Sequence, residues 1–154
     1  MSEISRILDQ LHREFEGRAW HGDNVSDTLK GITAEQAVRK PISAAHSIWE
    51  LTVHMAFWKQ AVTARLVGNP LTITDDMDWR PITDTSSAAW KTAVDNLCAA
   101  HQALVTAVAK FDESRLDEQV GPDNSTCYVL IHGIIQHDLY HAGQIAILKK
   151  SFVS

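Results

Sequence analysis

The segment from about residue 44 to residue 67 contains neither proline nor glycine, and this continuity limits the possible folds more than any other feature of the sequence. Leu51, His54, Trp58 and Ala61 recur at intervals of three and four residues. Such spacing places side chains on one face of a helix. Gly68-Asn69-Pro70 follows directly and is typical of a helix end. The segment therefore predicts one long helix with a buried face.

Apolar residues with the same periodicity predict three further long helices, over about residues 4–15, 85–111 and 125–150. The predicted helix over residues 85–111 has Asp84, Thr85 or Ser86 as its candidate N-cap. The last predicted helix begins near Asn124 or Ser125. No segment predicts a strand. Four long helices predict an all-α fold, a four-helix bundle.

The connections between these helices contain residues that break or start helices. The pattern Thr33-Ala34-Glu35-Gln36 is a capping box and predicts a short helix before Pro41. Residues 69–85 carry prolines at positions 70 and 81, and they predict a long crossover loop. A polar stretch over residues 112–122, ending in Gly121-Pro122, predicts the last connection.

The composition narrows the function classes. A chain of 154 residues with 45% hydrophobic and 21% charged residues fits a single domain over residues 1–154. The net charge of −5 offers no basic surface, so nucleic acid and membrane partners are not expected. Two cysteines without metal-knuckle spacing favour a reducing compartment, and we expect a cytoplasmic protein.

His137 and His141 lie four residues apart in the last predicted helix, so their imidazoles share one side of it. Two such rings can hold one metal ion, and burying both without a partner is costly. The zinc-protease motif HExxH requires glutamate after the first histidine, where this chain has Asp138, so a metalloprotease is not predicted. The alternative is a helix without metal, in which each ring pairs with other groups.

His54 is the best candidate for a third ligand because it lies on the buried face of another long helix. Metal sites in helical bundles are built from facing helices in this way. A single histidine on an apolar face is otherwise a hydrogen-bonded core residue, and we interpret His101 as one. Three imidazoles suit zinc, nickel, copper or iron and leave coordination positions open.

Three stretches of the chain carry a family resemblance. They are Trp20-His21-Gly22, the stretch His46-Ser47-Ile48-Trp49-Glu50-Leu51 followed by His54, and most specifically His132-Gly133-Ile134-Ile135-Gln136-His137 running into Tyr140-His141-Ala142-Gly143-Gln144-Ile145. In these the chain resembles the DinB-like superfamily of damage-inducible and thiol-transferase-like helical proteins.

The resemblance implies an up-up-down-down four-helix bundle, often a homodimer. It also implies one ion of nickel, zinc or iron bound by three histidines, which correspond here to His54, His137 and His141. Some proteins of that family are metal-dependent transferases or isomerases that use low-molecular-weight thiols, and many others have no established activity.

Two functional hypotheses follow. A divalent ion held by neutral imidazoles keeps its full charge and can lower the pKa of a bound water or thiol. This predicts an enzyme that activates a low-molecular-weight thiol or water for transfer or hydrolysis on a small-molecule substrate. The alternative is a non-catalytic metal-binding stress-response protein, in which the ion fastens two helices together. An open coordination position favours the enzyme, and a fourth protein ligand favours the alternative.

Several residues are candidates for the surroundings of the ion. Glu50 lies one turn before His54 and is a candidate to orient a ligand or accept a proton, although a solvated carboxylate at a helix start is an equal alternative. Aromatic residues at helical spacing also pack in ordinary cores, and Trp79, in the long loop, is the strongest pocket candidate. The candidates for a substrate pocket are His21, His46, Trp58, Trp79 and Tyr140.

Overall fold

The computed structural model describes residues 1–120 and 123–152, and the regular elements within them are helices. In chain order these are α1 (Glu3–Phe15), α2 (Val25–Leu29), α3 (Ala34–Val38), α4 (Ile48–Leu66), α5 (Asp75–Asp78), α6 (Ser87–Ala109) and α7 (Cys127–Lys150). A 3-10 turn, Glu113–Arg115, lies between α6 and α7. The predicted all-α class is confirmed.

The four long helices, α1, α4, α6 and α7, pack around a common core. Helix α4 packs against α6 and α7, and α1 packs against the same two helices. The up-up-down-down order implied by the family resemblance stays a prediction. Among the described residues, every helix is too short or too polar to span a lipid bilayer.

The core consists of two apolar clusters with polar residues between them. One cluster includes Phe15, Met55, Leu97 and Ala142, and the other includes Leu11, Val62, Leu104 and Ile135. Between these positions along the chain, each long helix contributes a residue to a group of buried polar side chains. We call this set the buried polar layer, and it consists of Glu14, Lys59, His101 and Asp138.

Local capping explains where α4 and α7 begin. The Ser47 side chain accepts the Glu50 N–H, and the Glu50 carboxylate accepts the Ser47 N–H, so α4 starts after Ser47 rather than near residue 44. Helix α7 begins shortly after the predicted start near Asn124 or Ser125, because the Thr126 side chain caps it. Gly68, at φ 78°, ends α4 in the left-handed conformation that glycine adopts without strain.

The connections hold more helix than the sequence predicts. Thr33 and Gln36 form the predicted capping box at the start of α3. Helix α2, capped by Asn24, was not predicted, since five residues are too few for a periodic pattern. The predicted crossover loop contains α5, a single turn that begins after Thr74. The predicted turn signal Gly121-Pro122 lies outside the described residues.

Candidate metal centre

Helices α4 and α7 bring three histidines together near the middle of the bundle. His54 lies in the second turn of α4, and His137 and His141 lie one turn apart in the middle of α7. His54 and His141 are buried, and His137 is half-buried. The contact between α4 and α7 joins the two helices at this level. The three residues that the sequence predicts as ligands are therefore neighbours in space.

The Nε2 atoms of the three imidazole rings lie close together between α4 and α7. His137 Nε2 lies 2.9 Å from His54 Nε2 and 3.2 Å from His141 Nε2. The three nitrogen ligand atoms all lie within 4.8 Å of one another. Three nitrogens at such separations can bind a single ion placed between them.

Oxygen acceptors face the other nitrogen of each ring. His54 Nδ1 lies 3.0 Å from Asp78 Oδ1 and 3.2 Å from the Asp78 carbonyl oxygen. Gln144 Oε1 accepts from His141 Nδ1 at 2.6 Å, and Asp138 Oδ1 lies 3.5 Å from His137 Nδ1. A neutral imidazole that donates through Nδ1 has its lone pair on Nε2. This arrangement orients each ring as a metal ligand requires.

Two of the three imidazole rings are in the neutral state that a metal ligand requires. Burial lowers the pKa of His141 to about 4, although its hydrogen bond with Gln144 opposes the shift. Burial likewise lowers the pKa of His54 against the opposing effect of Asp78. Both imidazoles are therefore neutral near pH 7 and can bind a cation.

The residues present fit a divalent ion. In this tautomeric state three lone pairs point at one another, and His137 Nε2 cannot form hydrogen bonds with both neighbours because a ring nitrogen carries one proton or one lone pair. A cation between them removes that repulsion. Within residues 1–120 and 123–152, the group contains three histidines and no fourth histidine, cysteine or carboxylate. Three protein ligands leave a coordination position for a small molecule.

Aromatic side chains from the crossover segment and from α4 surround the histidines. The Trp79 ring stacks on His54 with 3.9 Å between ring centroids, and His46 stacks on the opposite side of this tryptophan at 3.5 Å. Trp58 lies edge-on to His54 and His137, with 6.4 and 6.3 Å between the ring centroids. The exposed Tyr140 lies 5.1 Å from His141. The structure thus gathers four of the five predicted pocket residues.

His21 and Glu50 lie elsewhere. His21 lines a separate cavity of about 300 Å³ together with Trp20, Arg13 and Glu14. The Glu50 carboxylate caps the start of α4 and forms an ion pair with Lys40 at 2.9 Å, and His46 lies 3.6 Å from it. Glu50 is outside the histidine group. Its catalytic role stays a prediction.

Sequence reasoning missed the residues that orient two of the histidines. Asp78 accepts from the Trp58 indole N–H at 2.7 Å as well as facing His54, so this one carboxylate ties the crossover segment to α4. Gln144 lies three residues after His141, a spacing that signals a helical neighbour. Asp78 has no comparable signal, because the path of a loop follows no periodicity.

The buried polar layer lies directly beside the candidate metal centre. Lys59 Nζ forms an ion pair with Asp138, donates a hydrogen bond to Glu14 Oε1 at 3.1 Å, and lies 3.2 Å from His101 Nδ1. The other oxygen of Asp138 faces His137. Lys59, Asp138 and His101 are fully buried, and Glu14 is 2% exposed. As predicted from the sequence, His101 is a core residue, and it stacks on Phe15 at 3.9 Å.

One carboxyl group of this layer holds a proton at neutral pH. Burial, together with the charge of Asp138, raises the pKa of Glu14 to about 8, although Lys59 opposes the shift. Burial and the charge of Lys59 lower the pKa of His101 to about 3. Lys59 and Asp138 then form a single ion pair next to a neutral carboxyl and a neutral imidazole. The layer as a whole is neutral.

The protonated Glu14 gives the protein a pH-dependent stability. Between about pH 4.5 and 8 the folded protein holds a proton that the unfolded chain has released, so the free energy of unfolding falls as pH rises. His101 acts in the opposite sense only below pH 6.5. Urea denaturation of the wild type should show a loss of about 2 kcal/mol from pH 6.5 to 8. Glu14→Gln, which stays neutral, should lack this loss; an equal pH slope in both proteins contradicts the assignment.

The comparisons with known proteins agree with the motifs around the histidines. A family model, described as DinB superfamily, matches residues 19–145. The match contains helices α2 to α6, the three histidines and most of α7. No curated protein and no solved structure matches the chain.

Proposed function

Since the chain belongs to the DinB superfamily, we propose that it is a metal-dependent enzyme in which His54, His137 and His141 hold one divalent ion of zinc, nickel or iron. An ion held there would supply the Lewis acid that activates a low-molecular-weight thiol or a water molecule for transfer or hydrolysis on a small electrophilic substrate.

One observation carries the proposal, namely the convergence of three imidazole Nε2 atoms whose Nδ1 atoms all face oxygen acceptors. A structural zinc site is commonly closed by four protein ligands, whereas a catalytic site keeps a position open. The described residues supply three ligands to this group. The donor set therefore favours an enzyme over a protein that uses its ion only to fasten α4 to α7.

The residues around the ion have separate tasks. A bound divalent ion supplies a Lewis acid that lowers the pKa of a thiol or water at its open position. Asp78, Gln144 and Asp138 hold the three rings in their ligand orientation. Trp79 covers one face of His54 and keeps water from it.

The wider setting of the enzyme is part of the same proposal. The family resemblance supports a homodimer. The small number of cysteines, Cys98 and Cys127, both free, supports a reducing compartment such as the cytoplasm. We expect the substrate to be a small molecule, since the candidate metal centre adjoins a cavity of ligand size.

Cobalt substitution tests the proposal directly. Co²⁺ should bind the chelator-treated protein with the visible absorption of a low-coordinate site. A low-molecular-weight thiol should then add a sulfur-to-cobalt charge-transfer band, which would support thiol activation. A spectrum that changes with azide but not with thiol would instead support activation of water. A cobalt spectrum that neither reagent alters would contradict the enzyme and favour the non-catalytic metal-binding protein.

A further inference from the structure

A groove runs from the candidate metal centre along the seam between α4 and α7. It has a volume of about 290 Å³, and His137 and Arg65 both line it. Apolar side chains form most of the remaining wall, among them Trp58, Val62, Leu130 and Ile134. Pockets that are largely apolar and carry few polar groups are typical of sites for small organic ligands.

The two helices extend the groove away from the histidines by a similar length. Trp58, which contacts the His137 ring, precedes Arg65 by seven residues on α4. Leu130 precedes His137 by the same number on α7. At 1.5 Å per residue, each wall is about 10 Å long. Arg65 therefore lies toward the end of the groove that is opposite the candidate metal centre.

Arg65 has a charge that no ion pair with another described residue neutralises. Among the described residues, the ion pairs of arginine involve only Arg6, Arg13 and Arg115. Arg65 is half-buried. The pKa of Asp123 is lowered mainly by hydrogen bonds with Ser125, and the charge of Arg65 makes the smallest contribution. Asp123 is therefore not a close partner of Arg65. The guanidinium donors of Arg65 can therefore bind a ligand carboxylate in a bidentate geometry.

We propose that this groove binds an elongated apolar carboxylate, with the carboxylate at Arg65 and the opposite end at the three histidines. With C–C bonds of about 1.5 Å, a zigzag chain of about eight carbons spans the 10 Å of the groove. A shorter acid does not reach both ends, and a neutral ligand leaves Arg65 unpaired. The pairing with Arg65 stands on the groove alone, whereas the placement of the reacting end beside an ion rests on the proposed function.

Calorimetric titration of chelator-treated protein with octanoate, hexanoate and octanamide tests the groove without a metal. Octanoate should bind at least tenfold more tightly than the neutral octanamide. It should also bind several-fold more tightly than hexanoate, since each buried methylene contributes up to about fourfold. Arg65→Gln should remove the preference for the acid over the amide. The control Arg6→Gln removes a positive charge from an exposed ion pair on α1 and should keep that preference.

The possible outcomes separate the groove from the proposed function. Equal binding of octanoate and octanamide, or a preference that survives in Arg65→Gln, overturns the groove proposal even if the protein takes up zinc. Preferential octanoate binding by a protein that takes up no zinc overturns the proposed function and keeps the groove. If octanoate does not bind and the protein is a dimer that Val129→Glu dissociates, the groove is an interface between two copies, and the proposal fails.

Discussion

His137→Ala is expected to lower the affinity of the protein for zinc by more than about 100-fold, because loss of a ligand exceeds the 10- to 100-fold effect of losing a residue that orients one. His137 Nε2 lies between the Nε2 atoms of His54 and His141, at 2.9 and 3.2 Å. Without it, two imidazoles on different helices remain. Competition with a chromophoric chelator gives the affinity, and elemental mass spectrometry of washed protein gives the zinc content per chain.

Two further variants make the zinc measurement specific. Gln144→Leu removes the oxygen that accepts from His141 Nδ1, and should lower zinc affinity by about 10- to 100-fold. His132→Ala removes a histidine from the same helix but outside the group, and should leave zinc affinity unchanged. A wild type without zinc uptake would contradict the metal centre. A His132→Ala protein as weak as His137→Ala would show that the zinc bound elsewhere.

The sequence locates the three histidines because regular helices relate spacing to position. His137 and His141 share one side of α7 through their interval of four residues, and His54 lies on the buried face of α4. The meeting of these two faces follows from the few ways in which long amphipathic helices pack. The Trp79 stack on His54 was expected only as pocket lining from a long loop.

Other parts of the site depend on contacts between distant residues, and the helical periodicity of the sequence does not predict such contacts. Asp78 contacts His54 although it lies 24 residues later in the chain, in a segment whose path the sequence does not predict. Lys59 is a second example. A lysine on a helix normally reaches water, and this one is buried only because acidic residues on α1 and α7 meet it inside the bundle. Side-chain pairing between distant helices has no local signal.

Lys59→Met is expected to destabilise the protein by about 3 to 5 kcal/mol, because it leaves the Asp138 carboxylate buried without its cation. Methionine fills a similar volume beside Phe15, so the effect reports the charge rather than a cavity. Urea denaturation of metal-free protein at pH 7 measures it. The control Lys91→Met breaks an exposed lysine–aspartate pair on α6 and should cost less than about 1 kcal/mol. Equal losses in both variants would contradict the role of burial.

A double variant separates the stability of the buried polar layer from its effect on the candidate metal centre. In Lys59→Met/Asp138→Leu both charges are gone, and stability should return to at least the wild-type level, a recovery of about 3 to 5 kcal/mol relative to Lys59→Met. Zinc affinity should nevertheless stay about 10- to 100-fold below the wild type, because His137 Nδ1 has lost the acceptor that orients its ring. If both quantities recover together, Asp138 has no orienting role. If neither recovers, the layer holds the four helices in register through its polar contacts.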